Sequence, residues 1–411
     1  MIYLDHHSTT PVDPAVFEAM KPYFFEKFGN ASHGVHRMNW EAESAVEHAR
    51  MQVATLIGAH EKEILFTSGA TESNQLAILG IATQLESLQR RKILSIAIEH
   101  SSVQGALEQL KDRGFEVEFV KTGRDGRVDL VHLEHCLKSS TDAHSSVGLV
   151  SIAYANHEIG TIQDIAVISK LVHEAGAFLH VDAVQAAGKI AIDVNTDGID
   201  LLTLSAHKIY GPKGIGALYI RRKNPRVELE PVFWGGTQER GLRPGTPNVP
   251  GIVGFGKAAE IAREKLSTEP QRIAALRDRL WQKLQAGLQG EAGQGSGSAE
   301  SPLIRNGSLL HALPNNLNVS IRGIDGSALF SRLKNVAVSN ASACISGVQD
   351  YSQVLSELGV SPALAKATLR FGVGRFNTEE EIESAAGEVI AVVKDLLKIE
   401  RDFAAQTGET K

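Results

Sequence analysis

From about residue 40 to residue 220 the sequence alternates amphipathic helical stretches with short apolar runs, and this alternation restricts the chain to βαβ units around a mostly parallel sheet. Residues 41–57 predict a helix. Ala45, Val46, Ala49, Val53, Leu56 and Ile57 recur at spacings of three and four, which stripes one face, and Gly58 comes next as a stop. Runs that read as buried strands are 64–66, 93–98, 147–152, 178–181, 201–204 and 216–220. Polar residues capable of chemistry come directly after most of them. Ligands of open α/β sheets bind in the crevice outside the carboxyl ends of the strands, so the site is expected there.

The second half of the chain reads differently. Residues 235–250 are too rich in Gly and Pro for regular structure and too long for an ordinary turn, which marks a functional loop. Helical stretches are expected at 254–266 and 271–288, with Pro270 between them. The segment 290–300 is a low-complexity surface insertion, 317–321 is strand-like, and 378–405 predicts a C-terminal helix. The expected fold class is α/β. A large domain, residues 15–255, carries a mostly parallel sheet flanked by helices, and residues 1–14 with 256–411 form a smaller α+β domain.

Charge and composition exclude several classes of function. Lys and Arg number 42 against 48 Asp and Glu, a net charge of −6 with no basic block, so no direct nucleic-acid partner is expected. Cys136 and Cys344 are the two cysteines, too few for a disulfide framework, which fits a reducing compartment. No run approaches the ~18 apolar residues that span a bilayer, and the N-terminus lacks the basic and apolar regions of a signal peptide. The expectation is a cytoplasmic chain with no membrane partner.

Three motifs carry chemistry. Phe66-Thr-Ser-Gly-Ala-Thr-Glu-Ser-Asn74 places a small-residue turn between a strand and a helix, where backbone N–H groups and the Ser68 and Thr71 hydroxyls suit a phosphate. A capped helix after a tight turn explains the same residues. Asp182 closes an apolar strand, where an unpaired carboxylate would be costly to bury, although a solvated strand end explains it equally well. Lys208 comes after another strand in a Gly- and Pro-punctuated loop with Ser205 and His207. A lysine partly desolvated there could form a Schiff base with an aldehyde, and a surface lysine is the alternative. Together the three supply a phosphate anchor, a partner for a pyridinium nitrogen and an aldehyde-binding amine, which are the needs of pyridoxal 5'-phosphate. His100, at a further strand end, could cover the cofactor face or act as acid or base. His132-Leu-Glu-His-Cys136 resembles a metal cluster but has no further ligands close in sequence, and no metal is expected.

The sequence also resembles the class V aminotransferase family of fold-type I pyridoxal-phosphate enzymes, and within it the group-I cysteine desulfurases. The resemblance runs through Tyr3-Leu-Asp-His-His-Ser-Thr-Thr-Pro11, Thr67-Ser-Gly-Ala-Thr-Glu-Ser73, Glu158-Ile-Gly160, His180-Val-Asp-Ala-Val-Gln185, Ser205-Ala-His-Lys208 and Tyr210-Gly-Pro-Lys-Gly214. It continues in Arg240-Gly-Leu-Arg-Pro-Gly-Thr246, Ser342-Ala-Cys344, Leu369-Arg-Phe371 and Gly374-Arg-Phe376. It implies that Lys208 is the Schiff-base lysine, Asp182 the partner of the pyridinium nitrogen, and Gln185 a contact to the phenolic oxygen, with His100 stacked on the ring. It implies phosphate ligands at Ala70, Thr71, Ser205 and His207, with Thr246 reaching in from the partner subunit of a homodimer, and Arg370 on the substrate carboxylate. His157 stands where the family usually has an Asn that contacts the cofactor.

Cys344 favours a desulfurase over other members. It lies in a small, polar stretch, and a thiolate is the nucleophile needed to take sulfur from L-cysteine and carry it as a persulfide. A buried apolar cysteine is the bland alternative. The implied products are L-alanine and sulfur passed to an acceptor protein, such as an iron-sulfur scaffold, for cluster assembly or thio-modification. Rival readings are a selenocysteine lyase, an aminotransferase, or a non-catalytic scaffold of the same fold.

Overall fold

The computed structural model describes residues 1–32, 34–139, 146–291, 301–340 and 351–407. Its centre is a seven-stranded sheet. In chain order the strands are β1 (Ile64–Thr67), β2 (Lys92–Ile96), β3 (Glu116–Val120), β4 (Val147–Ala153), β5 (Phe178–Asp182), β6 (Leu201–Ser205) and β7 (Gly216–Ile220). Their spatial order is β1-β7-β6-β5-β4-β2-β3. The five strands from β3 to β6 are parallel, while β7 runs antiparallel to both β6 and β1. Six of these strands are the apolar runs expected from the sequence. The seventh, β3, reads Glu-Val-Glu-Phe-Val, too polar for a buried run, because it is an edge strand whose Glu116 and Glu118 meet Lys92 of β2 at 3.5 and 2.6 Å.

Helices cover both faces. They include α1 (Arg37–Leu56), α2 (Ala70–Gly80), α3 (Ser101–Asp112), α4 (Leu130–Lys138) and α5 (Ile165–Glu174). One face of the sheet buries Val46, Ala49 and Val53 of α1 with Ile152, Val181 and Leu204, and the other buries Leu76 of α2 and Leu107 of α3 with Ile93 and Leu149. Each fully buried aliphatic side chain of this size contributes about 1.5–3 kcal/mol. Helix α1 begins at Arg37, four residues before the expected start at 41.

A second, antiparallel sheet joins β8 (Leu303–Arg305), β9 (Asn316–Ile321), β10 (Ser339–Asn340) and β11 (Thr368–Gly372) in the order β10-β11-β9-β8. It packs on the helices Glu269–Gly287 and Glu379–Thr407 through Leu280, Leu284, Val319, Phe371, Val389 and Val393. Pro270 lies in the first turn of its helix, where its missing N–H costs nothing. Leu4 joins this smaller core, whereas the helix Val249–Lys265 packs Phe255, Ala258 and Ala262 against the larger one. The expected boundary between residues 255 and 256 therefore falls inside a continuous helix whose apolar face stays with the large sheet to Ala262.

Two glycines set the geometry where β1 meets α2. Gly69 has φ 156° and ψ −179°, a region essentially restricted to glycine, and a Cβ on Gly216 would lie 2.8 Å from the Gly69 backbone. The start of β7 is thus in direct contact with the turn. Gly216→Ala is expected to push the 67–71 turn off its position, lowering the melting temperature and weakening phosphate-bearing ligands at least tenfold; calorimetry and a phosphate-ester titration on the same variant check both.

Candidate active site

The carboxyl ends of β1, β2, β4, β5 and β6 open onto one cavity of about 590 Å³, within the usual range for small-molecule sites. Ser68, Gly69, Ala70 and Thr71 close one end at the N-terminus of α2, whose free N–H groups and dipole favour an anion. Glu72 accepts from Ser68 N at 2.7 Å and pairs with Arg243 at 2.9 Å, which ties this turn to the 235–250 loop. A second tie is stricter. Glu239 and Arg240 both take left-handed backbone conformations, φ 44° and 61°, at a cost of about 1 kcal/mol or more each. In return Glu239 accepts from Phe66 N at 2.8 Å and holds Arg50 at 2.7 Å.

Asp182 stands at the end of β5. Asn74 Nδ2 donates to its Oδ2 at 2.9 Å and Val184 N to its Oδ1 at 3.0 Å, so among the described residues the buried carboxyl group has neutral hydrogen-bond donors only, a setting that suits a cationic ring nitrogen. The same Asn74 amide donates to Ser102 Oγ at 2.8 Å. Ser102 Oγ in turn lies 2.8 Å from His100 Nδ1, which also accepts from Ser102 N at 3.2 Å as the cap of α3. With Nδ1 taken twice, the proton belongs on Nε2, and burial lowers the pKa of the ring.

Lys208 ends a 3₁₀ turn directly after β6. The N-terminal segment clamps that turn. Thr10 donates to His207 O through Oγ1 at 2.9 Å and accepts from Tyr210 N at 2.9 Å, while His207 Nδ1 lies 3.1 Å from Thr9 Oγ1. Burial first, then Lys208, Lys213 and Lys189, hold His207 down to about 4, so the ring is neutral. Lys208 Nζ donates to His7 O and, at 2.8 Å, to Ser8 O. His7 itself is buried, with Nδ1 3.1 Å from Gln185 Oε1 and Nε2 3.1 Å from the amide of Asn316. Because Asn316 donates to Nε2, His7 donates from Nδ1, which fixes the Gln185 side chain with Nε2 directed to His7 O at 3.0 Å.

His157 lines the cavity next to His100, ring centroids 5.3 Å apart and nearly perpendicular. Burial, helped by the charges of His100, Arg370 and Lys208, keeps its pKa well below the usual range. Arg370, from β11, reaches across between the two sheets: Nη1 donates to His157 O at 3.1 Å and Nη2 meets Asp5 at 3.3 Å, while Nε is buried without a partner among the described residues. An orphaned guanidinium N–H at a cavity wall calls for an anionic ligand.

Of the residues expected from the sequence, the structure gathers Ala70, Thr71, His100, His157, Asp182, Gln185, Ser205, His207, Lys208 and Arg370 around this one cavity. Thr246 is exposed and lines a separate cavity of about 200 Å³ behind the turn, sharing Ser68 with the main one. Cys344 lies outside the described residues. Sequence reasoning passed over His7, Asn74, Glu99 and Glu158 as partners in the site. Glu158 accepts from Ser352 Oγ at 2.5 Å, and burial pushes its carboxyl up to about 7. For His7 the signal was available, a histidine pair in a segment already marked, but its contacts lie 178 and 309 residues away.

His132 and Cys136 do gain a third neighbour, Glu118 of β3, with the candidate ligand atoms within 4.8 Å of one another. Their lone pairs are already engaged. Lys121 N donates to His132 Nδ1 at 3.2 Å, Lys92 sits 2.6 Å from one Glu118 oxygen, and the Cys136 thiol donates to the other at 3.1 Å. Burial and then Glu118 push that thiol up to about 11, away from the thiolate a metal takes.

Residues 2–384 match the model of the class-V aminotransferase family. A cysteine desulfurase IscS of Anaeromyxobacter sp. (strain Fw109-5) is 48% identical over 395 residues, covering 96% of this chain and 93% of the relative. A solved NifS-like protein superimposes with a TM-score of 0.84 at 36% identity, covering 96% of this chain and all of its own. Another, from Rickettsia africae ESF-5, does so at 0.79 and 31%, covering 96% and 99%. The chain belongs to the class-V aminotransferase family of pyridoxal-phosphate-dependent enzymes, and within it to the cysteine desulfurases. The cavity fits that cofactor: a helix N-terminus for the phosphate, a carboxylate held by neutral donors for the ring nitrogen, and an amine facing them. No helix among the described residues is long and apolar enough to cross a membrane.

Behind the site, Glu99 accepts from Ala153 N at 2.7 Å and leaves its other oxygen buried without a partner among the described residues. Burial raises its pKa to about 8 from 4.5, with Asp182 adding to the shift. Below pH 4.5 the group is protonated in both folded and unfolded chains. Between there and pH 8 the unfolded chain ionises and the folded one does not, so wild type loses stability relative to Glu99→Gln, on the order of a few kcal/mol by pH 8 at about 1.4 kcal/mol per unit. Urea unfolding of both proteins at about pH 5 and about pH 8.5 measures the change, and a pH-independent difference would contradict it.

Proposed function

We propose that the chain removes sulfur from L-cysteine, giving L-alanine and a persulfide on Cys344 that is handed to an acceptor protein. The observation that carries this reading is one cavity combining Lys208, Asp182, an anion-binding turn and the orphaned Nε of Arg370. Pyridoxal phosphate, when bound, supplies an aldehyde for the amine and a ring that takes up electron density from the substrate's α-carbon. Arg370 holds the substrate carboxylate with the N–H it has free and so orients the α-carbon toward Lys208. Lys208 Nζ accepts the α-proton, while the His100 imidazole, fixed with its proton on Nε2, would cover the ring and donate a hydrogen bond from Nε2. His157 contributes a neutral hydrogen-bond donor beside it, the role an amide would otherwise fill. The Cys344 thiolate attacks the substrate sulfur, the C–S bond breaks with its electron pair left on the carbon side, and protons delivered to Cβ and, from Lys208, back to Cα complete alanine.

A homodimer accounts for Thr246, which is exposed and apart from its own chain's main cavity and would complete a partner's phosphate site. The IscS name of the relatives supports an iron-sulfur scaffold as acceptor, and the absence of a crossing helix among the described residues is compatible with the cytoplasm. The test is sulfide and alanine release from L-cysteine with a reductant. Wild type should yield the two in equal amounts, and Cys344→Ser and Lys208→Ala neither. Alanine release that survives Cys344→Ser would favour a selenocysteine-lyase-like reaction, and transamination would favour an aminotransferase. Arg370→Lys removes the Nε–H and the planar guanidinium that carries it and should raise KM at least tenfold with the cofactor's absorbance unchanged; steady-state kinetics and a spectrum of the same sample separate the two.

A further inference from the structure

Strand β1 ends the large sheet, with β7 as its single strand neighbour among the described residues. Backbone groups alternate along a strand, so the carbonyl of Ile64 and the N–H of Phe66 both face the open side, flanking Leu65. Two side chains take them. Arg50 Nη1, from α1, donates to Ile64 O at 3.1 Å, and Glu239 Oε2, from the 235–250 loop, accepts from Phe66 N at 2.8 Å. The two are also joined to each other by a fork, Nη1 to Oε2 at 2.9 Å and Nη2 to Oε1 at 2.7 Å. The pair stands where a neighbouring strand would, presenting one donor and one acceptor to the edge.

The pair is enclosed, its side chains 10% and 9% exposed, and the guanidinium lies over the Phe66 ring, 4.8 Å from the centroid. Glu47, one turn earlier on α1, meets Arg50 Nε at 3.1 Å. Glu239 reaches this position only through the left-handed backbone at 239 and 240, a conformation that persists where the surroundings hold it. Phe66 lies two residues before Ser68, so the pair fixes the chain immediately ahead of the anion-binding turn. Glu72, engaged by Ser68 N and Arg243, fixes it immediately after. The 235–250 loop thus grips the turn from both sides.

We propose that Arg50 and Glu239 are positioning residues for the cofactor's phosphate, fixing the end of β1 and with it the direction in which the first N–H groups of α2 are presented. Both line a separate cavity of about 630 Å³ outside the main one, so they act through the turn rather than by touching a ligand. A phosphate held by several N–H groups at once is sensitive to any shift of the turn that carries them. Asp182 and Lys208 belong to β5 and to the turn after β6, beyond β7 from this edge, and the pair does not hold them. Its effect should therefore fall on the phosphate and spare the ring and the aldehyde.

The inference rests on the phosphate lying at the 68–71 turn, and the experiment separates the two claims. The full chain, freed of cofactor, is titrated with pyridoxal 5'-phosphate and with pyridoxal, which has the ring and the aldehyde but no phosphate. Wild type is compared with Glu239→Gln, Arg50→Met, the double variant and Gly216→Ala. In Glu239→Gln and Arg50→Met the affinity for pyridoxal 5'-phosphate should fall about tenfold while that for pyridoxal stays within about twofold. The double variant should match the weaker single one within about twofold, because the two side chains act as a unit. Equal losses for both ligands, or none for either, would overturn the role of the pair. Gly216→Ala disturbs the turn directly: if it leaves the ratio of the two affinities at the wild-type value, the phosphate lies elsewhere and the reading beneath the inference fails. If it lowers that ratio and Glu239→Gln does not, the role of the pair alone is lost. Should Arg50→Met fail to fold, the nearly isosteric Glu239→Gln decides by the same ratio.

Discussion

Asp182 ends a strand in the middle of the seven-stranded sheet with 8% of its surface exposed, and a carboxylate there has to be satisfied by its neighbours. It receives two neutral donors, Asn74 Nδ2 and Val184 N, and no cation among its hydrogen-bond partners in the described residues. That arrangement constrains much of the site. Asn74 must sit one turn into α2, which fixes the helix whose N-terminus closes the anion end of the cavity. The same amide holds Ser102, and through Ser102 the tautomer of His100. A single buried charge thus links the placement of the phosphate turn to the orientation of the imidazole at the opposite wall.

The rest of the site is held by the chain's first ten residues. The His7 and Ser8 carbonyls receive Lys208 Nζ, the His7 ring sets the Gln185 amide, and Thr10 bridges His207 and Tyr210. These contacts bring the smaller sheet into the chemistry, since Asn316 of β9 binds His7 and Arg370 of β11 binds Asp5. The cavity lies where two cores meet, and neither core alone contains it.

Strand-end residues were legible because buried parallel strands leave continuous apolar runs, and the residue after each run has to lie at the sheet's carboxyl edge. Asp182, Lys208 and His100 were found that way. The phosphate turn with Thr71 was legible as a small-residue break between strand and helix, whereas the roles of Gln185, Thr246 and Arg370 came from family resemblance, since nothing in their local pattern separates them from ordinary turn or strand residues. The partners that tune these groups were not legible. Glu99 looks like a strand-end acid until its second oxygen is seen without a donor among the described residues. Strand β3 escaped notice because ion pairs with Lys92, rather than apolar burial, hold its outer residues. Contacts across hundreds of residues leave no local pattern to read.

In the proposed function the cavity orients pyridoxal phosphate with its ring nitrogen on Asp182, its phosphate on the turn at Ala70 and Thr71, and its aldehyde carbon at Lys208. A crystal structure of the cofactor-loaded protein tests this most directly. Expected are density continuous with Lys208 Nζ, a ring nitrogen within hydrogen-bond distance of an Asp182 oxygen, and phosphate oxygens on the first N–H groups of α2. A cofactor joined to another lysine, or a ring turned so that Asp182 faces carbon, would contradict it.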